Sequence, residues 1–446
     1  MAKFAMIVKL GNADAGVTIN AADYGQVADL KILCNGSRDE VKLSKLFMGM
    51  KQLKLEPNEL AMDLLVVACA MYGADTRIDR LKTADDSWTR RIDLFIPVSD
   101  VTVWNEQVPL LKKIFGFLSG DLWNISFRER SGMSAITPIS RLKKFGMPYQ
   151  TDTVCLFSGG MDSFIGGIDL LSKGIQPLFL GHAKSSDVSP NQRFCEQALT
   201  NAFPTLSFKR LYAFVRIPKK NLFGQEEKTE RGRSFLFLTL GSICASALNP
   251  GMPSTLIIPE NGLISLNLPL TPMRTGSHST RTTHPHYLEL MQSLLDKLTL
   301  GVRLHNPYQF KTKGEMLREC ADPSLVEKTR TMSCSHPSGR FQGKGNGHCG
   351  TCVPCIIRLA SFKAAGKTEV KDYRTDIFDA AQLDTKTKKD NIVAFKYMVE
   401  KNSQNPVYIK GLIRATGPLG KNVDDYVSIY KRGLKEVENL LSGVVI

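Results

Sequence analysis

The hexapeptide Ser158-Gly159-Gly160-Met161-Asp162-Ser163 carries the plainest chemical signal in the chain. It follows an apolar run, Thr153-Val154-Cys155-Leu156-Phe157, and opens a helical pattern, Phe164-Ile165-Gly166-Gly167-Ile168-Asp169-Leu170-Leu171, that Gly174 closes. A strand that stops at two glycines and feeds a helix start suits phosphate. Glycine lets backbone amides approach an anion closely, and the first helical turn adds oriented N–H groups and a partial positive charge. No lysine ends the loop, so it is not a Walker A P-loop. Phosphates here must be held by amides, hydroxyls and a metal ion. The plainer alternative is a tight βα turn without a ligand. The complete hexapeptide in strand-to-helix context favours the phosphate reading.

A second constellation is made of cysteines. Of ten in the chain, four (Cys334, Cys349, Cys352 and Cys355) fall within 22 residues, beside the glycine-rich run Gly343-Lys344-Gly345-Asn346-Gly347-His348. In a cytosolic enzyme such clustering reads as metal binding rather than disulfides. Consecutive Cys-x2-Cys steps place thiolates on one tight turn, and a distant fourth completes a tetrahedron around Zn²⁺. Such a site has no open position, so its role is structural. An iron–sulfur cluster also accepts these ligands. A redox Cys-x-x-Cys pair fits less well, because three closely spaced cysteines suit a metal better. His336 or His348 in place of Cys334 is a further alternative. The remaining cysteines, Cys34, Cys69, Cys155, Cys195, Cys244 and Cys320, sit singly in apolar or mixed stretches and read as packing residues.

These residues need a frame. From residue 150 onward strand and helix patterns alternate: strands at 153–157, 176–182, 206–215, 255–259 and 302–306, helices at 164–171, 191–202, 234–248 and 287–298. That alternation predicts a doubly wound, mostly parallel α/β sheet with helices on both faces. Ligands in such sheets sit at the carboxyl ends of strands, where the Ser158 loop, Glu260-Asn261 and the Lys311 segment all fall. Before it, residues 1–149 show a strand at the start, an apolar helix over 59–72, strands at 89–98 and 122–127 and a helix over 108–118. This mixture suggests an N-terminal α+β accessory domain, with Arg141-Leu142-Lys143-Lys144-Phe145-Gly146 as the linker. The expected organisation is therefore 1–149 accessory, 150–330 nucleotide domain, 331–365 zinc-binding segment and 366–446 helical C-terminal region.

Composition narrows the class. A chain of 446 residues is too long for one ordinary domain, and 43% hydrophobic content excludes disorder. No apolar run approaches the roughly 18 residues that span a bilayer. The first residues, Met1-Ala2-Lys3-Phe4-Ala5-Met6-Ile7-Val8, lack the pattern of a secretory signal, so a cytoplasmic location is the default. A net charge of +15 suits a polyanionic partner: ATP, nucleic acid or an acidic protein. The basic residues are spread along the chain, as on an ordinary soluble surface, and no nucleic-acid-binding motif is present.

The loop resembles the SGGxDS signature of the PP-loop ATP pyrophosphatases, whose HUP-like domains split ATP between the α and β phosphates. That resemblance implies pyrophosphate on Ser158, Gly159, Gly160 and Ser163, with Asp162 near the metal and phosphates. Together with Cys334 and Cys349-Gly350-Thr351-Cys352-Val353-Pro354-Cys355-Ile356-Ile357-Arg358, the loop looks like the 7-cyano-7-deazaguanine synthase family, QueC. The similarity covers roughly residues 150–365. Added regions at both ends and an unmatched middle segment (260–285) make the layout similar to the QueC-like proteins of bacterial anti-phage systems, the QatC type. The resemblance implies ATP-dependent activation of a 7-carboxy-7-deazaguanine-like carboxylate, then amine transfer giving an amide, a nitrile or a deazaguanine–protein conjugate. The last would need a protein partner from the same defence system.

Adenylation turns a carboxylate into an electrophile, and its catalysis is positioning plus charge stabilisation. Mg²⁺ would bridge the phosphates. Candidate catalytic groups are Asp162, Ser163, Arg233 with its neighbour Arg231, and Lys313, whose segment Phe310-Lys311-Thr312-Lys313-Gly314-Glu315 resembles the family's Thr-Lys segment. Glu260 and Asn261 are candidates for reading a purine-like base. The stretch from Arg274 to His286 is dense in hydroxyls, His and Arg and reads as a substrate lid, with Arg281 and His284 as contacts. Two other classes compete: a tRNA-modifying thiolase, which needs a sulfur-carrying cysteine, and a catalytically silent nucleotide sensor in a defence complex.

Overall fold

A computed structural model describes all residues except 1–2, 34–38, 85, 87, 131–148, 183–187, 219–226, 228–230, 269, 271–280, 336–346, 370–372 and 446. The first sheet contains β1 (Lys3–Leu10), β2 (Gln26–Ile32), β3 (Glu40–Val41), β4 (Arg91–Val98) and β5 (Leu122–Glu129), in the order β3-β2-β1-β4-β5. The second contains β6 (Thr153–Leu156), β7 (Leu178–His182), β8 (Lys209–Ala213), β9 (Ser254–Ile257) and β10 (Val302–His305), in the order β10-β9-β6-β7-β8. All pairings within both sheets are parallel. Each sheet therefore starts in its middle, grows one way, then reverses, and the reversal leaves a crevice at the carboxyl ends of its central strands.

The expected α/β class holds for the second sheet. The N-terminal region departs from the α+β expectation: it is itself a parallel α/β layer. The signal was hidden because the crossover from β1 to β2 carries only a 3₁₀ turn, Ala21–Asp23, rather than a helix. Without a helical period there, the start of the chain shows no βαβ pattern, and only the later strand–helix–strand run, now the parallel unit β4 (Arg91–Val98), Val101–Ser119, β5 (Leu122–Glu129), carries one. The helices of this part are α1 (Ser44–Leu53), α2 (Glu59–Arg77), α3 (Arg80–Thr83) and α4 (Val101–Ser119).

The two sheets share one hydrophobic core. Every residue of α2 from Ala61 to Arg77 is buried, and this helix packs against α7 (Arg233–Leu248), itself apolar on every side. Phe115 of α4 meets Phe235 of α7 edge-on at 5.1 Å. One cluster runs from Phe4 to Val302 without a break at residue 149. The linker segment 141–146 lies outside the described residues.

Around the second sheet lie α5 (Met161–Ser172), α6 (Val188–Ala202), α8 (Gly262–Leu266), α9 (Pro285–Lys297), α10 (Lys313–Glu319) and α11 (Pro323–Lys328). The chain continues with α12 (Val353–Ala364), α13 (Lys386–Gln404), α14 (Pro406–Thr416) and α15 (Val423–Leu441), so the described residues from 386 to 441 are mostly helical. α15 is amphipathic. It buries Tyr426, Ile429, Tyr430, Gly433, Leu434, Val437, Leu440 and Leu441 at helical spacing. That stripe joins Leu263 and Leu266 of α8 and Ile356 and Ile357 of α12 in a second core. No described helix is long and apolar enough to cross a membrane.

Candidate functional site: a phosphate-sized cavity beside a four-cysteine group

The Ser158 loop leaves the carboxyl end of β6, the buried central strand of the second sheet. Gly159 has φ +78°, and a Cβ there would sit 2.9 Å from the Gln192 amide nitrogen, so any other residue is both strained and obstructed. Gly160 is the N-cap of α5 and supplies no side-chain cap, which leaves the first-turn amides to another acceptor. Ser158 Oγ lies 3.2 Å from Ser163 Oγ and accepts from the Gly160 amide at 3.2 Å. Ser163 Oγ reaches the Gly160 carbonyl at 3.0 Å. The loop is thus folded around its own hydroxyls, with Gly159 and Gly160 at its apex.

Three further groups converge on it. Asp162, at the second position of α5, is buried. Its Oδ1 pairs with Lys313 Nζ at 2.5 Å, and its Oδ2 accepts from Asn261 Nδ2 at 2.6 Å. Lys313 is held at the first position of α10 by a capping box, in which Thr312 accepts from the Glu315 amide and Glu315 reaches back to the Thr312 amide. Glu260 ends the segment after β9 and lies next to Asp162. Ser158, Gly160, Asp162, Ser163, Glu260 and Lys313 line a cavity of about 200 Å³, together with Met332, Ser333 and Pro354. That volume is below the roughly 300–1,000 Å³ of whole-ligand pockets, and on the scale of a phosphate or diphosphate group.

The charges are arranged unequally. Burial opposes ionisation of Asp162, but the Lys313 ammonium and the hydrogen bonds from Glu260 and Asn261 outweigh it and hold the carboxyl below the aspartate range. Burial, then the neighbouring Asp162 anion, push Glu260 well above the glutamate range. The pair therefore keeps one proton between two carboxyls under conditions where an isolated glutamate has lost it. Linkage gives the consequence. The native state binds a proton that the unfolded chain has released, so this contribution to stability falls as pH rises from the ordinary glutamate range through the raised native value. Glu260→Gln is expected to melt higher than the wild type at pH 8, by about one to three degrees, and to match it near pH 4. A pH-independent difference in thermal unfolding would rule out the shared proton.

The four cysteines form a closed group. Their sulfurs all lie within 4.8 Å of one another. Cys334 Sγ to Cys352 Sγ and Cys349 Sγ to Cys355 Sγ are each 3.9 Å. Four sulfurs at the usual Zn–S distance of about 2.3 Å stand about 3.8 Å apart in a tetrahedron. The amides of Cys349 and Cys352 donate to Cys334 Sγ and Cys349 Sγ, each at 3.3 Å, as suits sulfurs that carry negative charge. Gly350 has φ +90°, and a Cβ there would meet the Thr375 carbonyl at 2.1 Å, so the Cys349–Cys352 turn needs glycine. The group can hold a metal ion such as zinc. His348 Nε2 instead accepts from the Ser333 amide at 3.3 Å. His336 lies outside the described residues.

The metal group and the cavity share a wall. The Met332 amide donates to the Gly159 carbonyl at 2.8 Å, and Pro354 lies between Cys352 and Cys355. Buried Arg358 ties the wall together, donating to Thr331 Oγ1 at 2.7 Å, to Ser333 Oγ at 3.2 Å and to Glu369 at 2.5 Å.

The structure gathers Ser158, Gly159, Gly160, Asp162, Ser163, Glu260, Asn261 and Lys313 in one place and leaves four candidates elsewhere. Arg233, a candidate catalytic group, starts α7 beside Tyr72 of α2 and does not line the cavity. Its neighbour Arg231 stacks on Trp88 at 4.5 Å, near Arg80, Asp75 and Asp121. This corner is drawn onto α2 because the Gly232 amide donates to buried Asp75 at 2.7 Å. Arg281 donates to the Phe117 carbonyl in the last turn of α4 at 3.0 Å and covers the Phe117 ring. His284 is fully buried and is the N-cap of α9. Its Nδ1 accepts from the His286 amide, so Nε2 carries the proton and donates to Thr416 Oγ1 at 2.8 Å, which in turn donates to Ile413. Burial first, with Arg281 and His286 beside it, pushes the imidazole down to about 3, so it is neutral at physiological pH. His284 and Arg281 fasten helices together and do not line the cavity. The expected lid residues 274–280 lie outside the described residues. His284→Ala is expected to cost about 1–3 kcal/mol of stability by chemical denaturation and to leave nucleotide binding within twofold.

No family model matches the chain, and no curated protein matches it.

Sequence reasoning assigned Asn261 to base reading; the structure makes it the N-cap of α8 and a donor to Asp162. An Asn-Gly pair before a helical run is a capping signal that was open to that reading. Thr312-x-x-Glu315 is likewise a legible capping box. Nothing local in the sequence marks Met332 and Ser333 as cavity walls.

Proposed function

We propose that the protein activates a carboxylate substrate with ATP, forming an acyl-adenylate and releasing pyrophosphate. The observation that carries this reading is the joint lining of one phosphate-sized cavity by the uncapped start of α5, the two loop hydroxyls and the Lys313–Asp162–Glu260 set. The α5 amides, Ser158 and Ser163 would hold the departing diphosphate. Lys313 would offset the charge that builds on it. The substrate carboxylate attacks the α-phosphorus, the α–β bridging bond breaks, and AMP becomes the leaving group for the next step.

Asp162 and Glu260 fit a divalent cation such as Mg²⁺. Two carboxyls close enough to share a proton offer a site where a cation can take the proton's place. Bound there with the phosphates, it would add Lewis-acid charge neutralisation. The four thiolates suit Zn²⁺ as a structural ion, since the group leaves no open position.

The resemblance to QueC-like proteins supports a 7-carboxy-7-deazaguanine-like substrate, cytoplasmic action and a role in anti-phage defence. The adenylate then passes its acyl group to an amine, either ammonia or a protein amine of a defence partner. A thiolase reading loses support, because the described cysteines outside the metal group are buried and none lines the cavity. Burial alone pushes the Cys69 and Cys244 thiols up to about 12. The deciding experiment is incubation with ATP, Mg²⁺ and the carboxylate. AMP and pyrophosphate in equal amounts are expected. ADP, or no turnover by protein that binds ATP, would refute the reading and leave a nucleotide sensor. Intact mass of a co-expressed partner then separates a protein acceptor from ammonia.

A further inference from the structure

We infer that Glu436, on the C-terminal helix α15, is a positioning residue for Lys313; this rests on the cavity reading proposed above. α15 touches three elements that contribute residues to the cavity lining. It packs on α8, which follows Glu260 and Asn261, on α10, which starts with Lys313, and on α12, which carries Cys355. Close approach to α8 is enforced at Gly433, where a Cβ would lie 2.7 Å from Leu263.

The contact with α10 is specific. Thr312 Oγ1 donates to Glu436 Oε1, and the Gly314 amide donates to Glu436 Oε2 at 3.3 Å. These donors flank Lys313 on both sides in sequence. Gly314 leaves the room required: a Cβ there would stand 2.5 Å from Glu436 Oε1. Arg432, one turn earlier on α15, donates to Glu315 Oε1 at 2.7 Å and to the Phe310 carbonyl at 2.8 Å. The start of α10 is thus clasped from outside by two residues of a helix more than 100 residues downstream. A carboxylate that accepts on both oxygens fixes the Thr312–Gly314 backbone, and with it the root of the Lys313 side chain.

Charge supports the same assignment. Burial, with Glu315 beside it, raises Glu436 against the pull of Thr312, Gly314 and Arg318, to about 7. Glu315 and Arg318 of α10 are charged neighbours of it, and Arg432 of α15 binds that same Glu315. The clasp is complete when Glu436 is ionised. Protonation turns one acceptor oxygen into a donor, so either the Gly314 amide loses its acceptor or the Thr312 hydroxyl must reverse, and the charge-assisted hold on both is lost.

The test is a double-substitution cycle read as ATP affinity with Mg²⁺. Glu436→Gln keeps the shape but can accept on one oxygen only. It is expected to weaken ATP binding about tenfold at pH 8, with unchanged metal content. Glu436→Gln on top of Lys313→Ala is expected to lose no more than Lys313→Ala alone. Wild-type affinity is expected to fall toward pH 6 while that of Glu436→Gln stays flat. Full affinity in Glu436→Gln, or losses that add in the double variant, would overturn the inference. Absence of ATP binding by the wild type would instead overturn the reading of the cavity, and the inference with it.

Discussion

Replacing Lys313 by methionine is expected to cut AMP formation by about 10²–10³-fold, the usual cost of deleting one fixed charge-stabilising group from a transition state. The same substitution is expected to destabilise the fold by an amount approaching the roughly 3–5 kcal/mol of a broken buried pair. The cause lies in Asp162. It is buried, its Oδ1 meets Lys313 at 2.5 Å, and its remaining partners are Asn261 and the proton shared with Glu260. Without the ammonium, the anion keeps its burial and loses its largest compensation. Asp162 then takes up a proton more readily. Its depressed pKa gives stability above the ordinary aspartate range that is lost as pH falls, so the variant should lose part of the wild type's acid-side slope.

Stability and catalysis can be separated. Asn at position 162 can accept from Asn261 and donate to Glu260, so Asp162→Asn combined with Lys313→Met should regain most of the lost stability while AMP formation stays at or below the reduced level of Lys313→Met. Unfolding in denaturant and AMP release by the same preparations give both readouts. A Lys313→Met variant that makes AMP at the wild-type rate would remove Lys313 from the chemistry. A double variant as unstable as the single would show that the pair matters for reasons other than charge.

What could be read from the sequence, and what could not, follows from how far apart the causes lie. The Ser158 loop was legible because its cause is local: two glycines and a helix start, within eight residues. The second sheet was legible because each βα unit announces itself in period and length. The cysteine group was legible because three ligands are consecutive at Cys-x2-Cys spacing. Arg233, Arg281 and His284 were misplaced for one reason. Residue type shows that a side chain can bind an anion, but not which way its helix faces. Buried Asp75 in α2 turns the Arg231–Arg233 corner toward the first sheet, and the carbonyl end of α4 claims Arg281. Those partners are about 157 and 164 residues away in sequence. Glu436 was invisible for the same reason, since its partners lie 122 and 124 residues back. The N-terminal sheet was not recognised as parallel: its first crossover has no helix to give a period, and the single strand–helix–strand run over 91–129 was too little to set the class.

Removal of the metal is expected to have the second large effect, and to reach the cavity as well as the fold. Four thiols at these distances are compatible with a bound cation and poorly compatible with its loss: sulfurs 3.9 Å apart repel once ionised. Structural zinc contributes on the order of 10–16 kcal/mol in small zinc peptides. With zinc bound to these cysteines, part of that energy would hold Met332, Ser333 and Pro354 in place as lining of the cavity, where the Met332 amide donates to the Gly159 carbonyl. Cys355→Ser removes a fully buried ligand and should yield protein with less than one metal per chain, a melting point lower by ten degrees or more, and no measurable ATP binding. The purified wild type should be colourless and release zinc on thiol modification; visible charge-transfer absorption would assign the site to iron and sulfur instead. Metal analysis, thermal unfolding and ATP titration on one preparation test the chain of cause. If metal-free protein keeps its melting point and its nucleotide affinity, the shared wall at Met332–Ser333 does not couple the two sites, and the cavity must be shaped by α5, α8 and α10 alone.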